Sequence, residues 1–185
     1  DVRDTVHSAL STQMFEDAYA GVMVGPTAWK DLDAPKGERF AWHPGSTYLI
    51  EPPWFADAGE PHAWPDTFKD ARVLALFGDS LTTDHILPGA QITPDSAAGR
   101  YLSDQGVDPQ DFNATTQRRG NHHVMMRSTF ANVRLNNLLI SGVEGGFSVK
   151  FPEETRMDIF EAAELYRDEG TPMIVIAGKD YGMGS

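Results

Sequence analysis

Arg72-Val73-Leu74-Ala75-Leu76-Phe77-Gly78-Asp79 decides the fold class of this chain. An unbroken apolar run of strand length, ended by glycine and aspartate, is the pattern of a strand buried on both faces. A second such run, Met173-Ile174-Val175-Ile176-Ala177, closes on Gly178 and is likewise read as buried. Between them, Met157 to Glu169 has a helical stripe of Ile159, Phe160, Ala163 and Tyr166, with Gly170 as a stop. Strand, helix and strand with glycine turns at the strand ends define an α/β fold. Asp95 to Asp104 is a further helix, with Asp95 or Ser96 as cap and Gly106 as stop. Asn121 to Met126 reads as a weaker helix or turn, and Phe147 to Phe151 alternates like a half-exposed strand.

Residues 1–70 read differently. Ser11 caps a short helix whose Met14, Phe15 and Ala18 share one face, and Thr47 to Ile50 is a strand candidate closed by Pro52-Pro53. Residues 24–70 hold seven of the twelve prolines and all four tryptophans. Prolines at that density exclude long helices and central strands. The aromatics favour an ordered arm that wraps a neighbouring surface over a flexible linker. The expected division is therefore an arm with one short helix over 1–70 and a folded domain over 71–185.

With 185 residues the chain is long enough for a true core, and 41% hydrophobic with 23% charged residues is a globular composition. No apolar run approaches the roughly 20 residues of a membrane span, and residues 1–7 lack the plan of a secretory signal. Fifteen basic against 27 acidic residues leave a formal charge of −12 and a pI near 4.7. Such a field repels phosphates and anionic lipid, so neither nucleic acid nor membrane is an expected partner. There is no cysteine, which excludes disulfides, thiolate nucleophiles and thiolate metal sites within these residues and gives no sign of an oxidising compartment; a cytoplasmic location is expected.

Three segments could carry chemistry. Gly78-Asp79-Ser80-Leu81-Thr82-Thr83-Asp84-His85 follows the first strand, where open α/β sheets bind ligands, and offers two carboxylates, three hydroxyls and an imidazole. A polar site with Asp84 accepting and His85 orienting or carrying a proton is one reading; a self-capped turn is the other, and spacing supports both. Arg118, Arg119 and Arg127 stand within ten residues. Arginine grips carboxylates bidentately, yet salt bridges to the many acids would use the same groups. His122-His123 is not expected to ligate a metal, because adjacent residues on a helix or strand diverge. Gly178-Lys179-Asp180-Tyr181-Gly182-Met183-Gly184-Ser185 is a glycine turn able to bring backbone N–H groups to an anion, or simply a turn. A buried strand followed by a turn and no further residues suggests a domain cut short.

Taken together these segments resemble the aconitase family, in its carboxy-terminal domain and the bacterial aconitase and iron-regulatory-protein branch. The likeness is carried by Gly78 to Ile86, Asp111-Phe112-Asn113, Arg118-Arg119-Gly120-Asn121-His122, Met125 to Leu135 and Ile176 to Ser185. Trp42, Ser46-Thr47-Tyr48 and Pro52-Pro53-Trp54-Phe55 carry it in the arm. The resemblance implies a swivelling β/β/α domain and a part in isomerising citrate and isocitrate through cis-aconitate. It implies a tricarboxylate substrate and a 4Fe-4S cluster ligated outside this chain, on domains that are its partners. By the same resemblance Ser185 is the catalytic base, Arg127 binds a substrate carboxylate, and Thr83, Asp84 and His85 line the site. No metal ligand is expected here.

Three departures from the family pattern stand out. Leu87 replaces a serine, Ser128 replaces a glycine, and the residues that would follow Ser185 are not in the sequence. The chain alone is therefore expected to be inactive. An apolar wall at Leu87 keeps a methylcitrate-type substrate open as an alternative, and a cluster-free RNA-binding relative is the other.

Overall fold

The computed structural model describes residues 1–34, 36–56 and 66–184; Pro35, Pro61, Trp64, Pro65 and Ser185 lie outside the described residues. The chain forms two compact units, Asp1–Ala41 and Trp42–Ser185. In the first, α1 (Val2–Ala9) is capped by the Asp1 carboxylate, α2 (Thr12–Ala20) by Ser11, and α3 (Thr27–Lys30) follows Pro26. Sequence reading expected one helix here and the structure has three. α1 joins a short stripe of Val2, Val6 and Ala9 to the Asp1 cap. None of the three helices buries a residue.

In the second unit, β1 (Arg72–Leu76) pairs in parallel with β4 (Met173–Ile176), Arg72 opposite Met173 and Leu76 opposite Ile176. β2 (Phe147–Lys150) and β3 (Thr155–Asp158) make an antiparallel hairpin. α7 (Ile159–Asp168) packs on β1 and β2, and Leu74, Ala75, Phe77, Phe130, Leu135, Ile159, Ala162 and Tyr166 form the larger core. α5 (Ala97–Asp104) and α6 (His122–Ser128) enclose a second core of Ile92, Ala98, Leu102, Phe112 and Val124. A one-turn helix, α4 (Thr83–Ile86), follows β1. Parallel strands, hairpin and helices bear out the α/β class.

The second edge of β1 is completed by side chains. Asn137 accepts the Leu76 N–H at 3.0 Å and donates to the Phe147 carbonyl at 3.0 Å, while Ser148 donates to the Leu74 carbonyl. Both are wholly buried. This ties β1 to the hairpin without a continuous ladder.

Several elements differ from expectation. Thr47 to Ile50 is not a strand: the Ser46 hydroxyl accepts the N–H groups of Tyr48 and Leu49, bending the chain. The helix expected from Met157 starts at Ile159, because Met157 and Asp158 pair with β2. β2 is also more buried than its alternation suggests, with Ser148, Val149 and Lys150 all inside. β4 is a strand but not a buried one; Ile174, Val175 and Ile176 are 39–45% exposed, since β4 has β1 as its strand partner on one side only among the described residues. No helix among the described residues is long and apolar enough to cross a membrane.

Candidate functional site

Beyond the carboxyl ends of β1 and β4 the two chains stay paired, and this brings two of the three polar segments together. Gly178 donates to the Gly78 carbonyl at 3.1 Å, Ser80 to Lys179 at 2.7 Å, Gly182 to Leu81 at 2.7 Å and Thr83 to Met183 at 3.2 Å. Asp79 accepts the Lys179 N–H at 2.7 Å. Ser80 and Asp180 take left-handed backbone angles, φ 60° and 58°, which short polar side chains tolerate. A Cβ on Gly178 would stand 2.0 Å from Asp79 Oδ1, so this crossing admits only glycine.

At α4 the His85 ring turns back to its own helix start. Its Nδ1 accepts the Thr82 N–H at 3.1 Å and lies 2.8 Å from the Thr82 hydroxyl. A nitrogen accepting an N–H has its lone pair free, so the proton of the neutral ring sits on Nε2. The self-capped reading holds at α4, where His85 accepts the Thr82 N–H, but not at Asp79, which accepts the N–H of Lys179 from the other strand end. Asp84 is exposed, and Thr83 is half-buried with Oγ1 close against Gly184, where a Cβ would come within 2.6 Å. His85 also lines a 240 Å³ cavity with Asp79, Ser80 and Arg134.

The stretch after α6 docks on this turn. Phe130 donates to the Ile86 carbonyl at 2.7 Å, and Asn132 donates its amide to the Asp84 carbonyl at 3.0 Å while accepting the Arg134 N–H at 2.8 Å. Sequence reading gave Asn132 no role of its own. An asparagine two residues before its backbone partner is an Asx turn, a local signal that says nothing of the second bond to α4.

The arginines separate. Arg118 is fully buried; its Nε donates to Phe112 O at 2.7 Å, one terminal nitrogen to Thr47 O at 2.9 Å and the other to Asp111 O at 2.8 Å, over the Tyr48 ring at 3.9 Å. It serves neither as an anion site nor as a salt-bridge partner; it pins residues 47–48 to the body by satisfying carbonyls. Arg119 is exposed. Arg127, near the end of α6, lies 4.7 Å from the Tyr101 ring and 4.8 Å from the Phe160 ring and donates to His123 O at 3.1 Å. It borders a 350 Å³ cavity with Thr93, Ser96, Thr129 and three acids, Asp95, Glu144 and Asp158. Thr83, Asp84 and His85 are not among the residues lining that cavity; of the three, Thr83 meets Met183 and Gly184, and His85 lines the smaller cavity with Asp79.

Electrostatics follow the packing. Burial, then Glu161, pushes the Asp158 carboxyl above the ordinary range, against the pull of Arg100. Burial, then His122 and Arg127, holds His123 below the usual imidazole value. The adjacent imidazoles, expected to diverge, sit with ring centroids 4.1 Å apart, and His123 also packs 5.2 Å from Tyr101. His122 Nδ1 is buried without a hydrogen-bond partner among the described residues. Leu87 is half-buried at the end of α4 and Ser128 is buried at the end of α6, so both departures from the family pattern are housed within the fold. Among the described residues no three His, Cys, Asp or Glu side chains are grouped to hold a metal. With no cysteine in the sequence either, these residues do not fit an iron–sulfur cluster.

The polar turn paired across the two parallel strand ends is thus buttressed by the segment from Arg127 to Asn132. Residues 98–185 match the family model for the aconitase C-terminal domain, and the chain belongs to the aconitase family. More particularly, it is similar to proteins named aconitate hydratase A. It is 46% identical to that of Thermus thermophilus over 185 residues, 100% of this chain and 20% of the relative. With the Escherichia coli protein it shares 46% over 176 residues, 95% of this chain and 20% of the relative. The Salmonella typhimurium protein is 48% identical over 179 residues, again 95% and 20%. The chain thus spans about a fifth of the length of the curated relatives it matches.

Proposed function

We propose that this chain is the part of an aconitate hydratase-type hydro-lyase that supplies the base and the carboxylate contacts for isomerising citrate and isocitrate through cis-aconitate. The observation that carries the reading is the pairing of residues 78–83 with 178–183, which joins at the strand ends two of the segments that carry the family resemblance. Met183 and Gly184 run beside Thr83; Ser185 is the base in this reading, with Thr83, Asp84 and His85 as the residues that line the site. In that role the serine oxygen takes the proton next to a substrate carboxylate, and the C–H electron pair forms the double bond of cis-aconitate. The C–O bond breaks to release hydroxide, which takes a proton from solvent to become water. Arg127, which forms no ion pair among the described residues, has in-plane donors for a carboxylate.

The same reading includes a swivelling β/β/α domain, a wrapping arm with tryptophans, and division near residue 70. It puts a 4Fe-4S cluster on partner domains outside this chain, and the whole in the cytoplasm.

The test is hydration of cis-aconitate by the intact protein that carries this chain. Ser185→Ala should lower kcat by about a hundredfold or more, and Arg127→Gln should weaken citrate binding. A purified, iron-replete protein that leaves cis-aconitate unchanged would sink the reading.

A further inference from the structure

We infer that Tyr101 and Phe160 are positioning residues: they clamp the Arg127 guanidinium so that its donor edge stays available to an anion. The inference rests on the reading of Arg127 given above and deepens it. Arg127 is a cation on a cavity whose wall also carries Asp95, Glu144 and Asp158, yet among the described residues it pairs with none of them. An unrestrained arginine on so acidic a wall would swing onto a carboxylate. Instead one ring from α5 and one from α7 lie 4.7 and 4.8 Å from its Cζ, and the His123 carbonyl takes one terminal nitrogen at 3.1 Å. Asp158, meanwhile, is engaged by Arg100, 3.7 Å away.

The chemistry of the clamp is specific. Ring contacts attract the guanidinium through its π system and leave its N–H groups, which radiate in plane, unspent. One donor is fixed by His123, and the rest remain for a planar, bidentate acceptor. Ordering the side chain beforehand removes that entropy cost from binding. His123 also rests on Tyr101, at 5.2 Å, so the ring is itself held from its other neighbours on α6. Tyr101, Phe160 and Arg127 come from three helices, and none is near the others in sequence.

The test uses the full chain, citrate as the probe, and the Arg127 Nε–Hε signal in an arginine-selective NMR spectrum. Tyr101→Leu keeps apolar bulk but removes the π face. It should weaken citrate binding about fivefold and move the ring-shifted Arg127 signal toward that of an exposed arginine. Tyr101→Phe, which keeps the ring, should restore both, and a cooperative thermal transition establishes that each variant is folded. In an Arg127→Gln background, Tyr101→Leu should cost nothing further. Citrate binding untouched by Tyr101→Leu, or weakened equally in both backgrounds, overturns the clamp while the Arg127 reading stands. A wild-type Arg127 signal that ignores citrate, with affinity unchanged in Arg127→Gln, brings down the functional reading and the clamp with it.

Discussion

Asn137 stands beside Leu76 where a further strand would: its Oδ1 accepts the Leu76 N–H at 3.0 Å, and the Leu138 N–H reaches the Leu76 carbonyl at 2.8 Å. One buried amide thus joins β1 to the β2 hairpin and holds the strand whose end carries the polar turn. Replacing Asn137 by leucine leaves a strand N–H and the Phe147 carbonyl unpaired inside the protein. The expected loss is about 2–4 kcal/mol, read from urea unfolding. A loss below about 1 kcal/mol would mean that water or a shifted backbone satisfies both groups.

Gly178→Ala tests the crossing of the two strand ends. The added methyl would meet Asp79 Oδ1 at 2.0 Å and the Asp79 nitrogen at 2.8 Å, so the Asp79–Lys179 hydrogen bond must break. Stability should fall by about 1–3 kcal/mol, and the amide signals of Ser80, Lys179 and Thr83 should shift together. Unmoved signals would show that the turn relaxes without losing its pairing.

Arg118→Lys removes the planar fork that serves the carbonyls of Thr47, Asp111 and Phe112. A single ammonium cannot span them, so at least one buried carbonyl is orphaned and residues 47–48 lose their anchor. Unfolding should become easier by about 3 kcal/mol, and proteolysis near Tyr48 should quicken. Full stability in the lysine variant would contradict the anchoring role.

His123 gives a pH dependence with a definite sign. Its folded pKa lies below the unfolded value near 6.5, chiefly because it is buried. Below that value the unfolded chain binds a proton that the folded one refuses, so stability falls as pH drops from about 7.5 toward 5.5. His123→Phe keeps a ring on Tyr101 and removes the proton. The wild-type minus variant difference in unfolding free energy should therefore decline on acidification over that window; a flat difference would show that His123 titrates alike in both states.

Much of the site was readable because it lies in short continuous stretches. Gly78 to His85 and Gly178 to Gly184 each announce a turn after an apolar run. Their mutual pairing came only with the structure, which sets β1 and β4 side by side. Asn132 and Asn137 were not readable, since an asparagine's local turn chemistry looks the same whether its second bond goes to water or to a strand 61 residues away. Arg118 and Arg127 also look alike on paper, and opposite burial separates them into an anchor and a half-exposed cation.

Residue order alone determined the α/β class, the positions of β1 and β4, α5 and α7, and the family, because apolar periodicity and contiguous motifs are local properties of the chain. Tertiary structure decided which arginine is buried, where Thr47 to Ile50 bends, and that Asn137 replaces a strand. Each of those depends on groups distant in sequence competing for the same hydrogen bonds and the same buried volume, and that competition is settled only when the chain is packed.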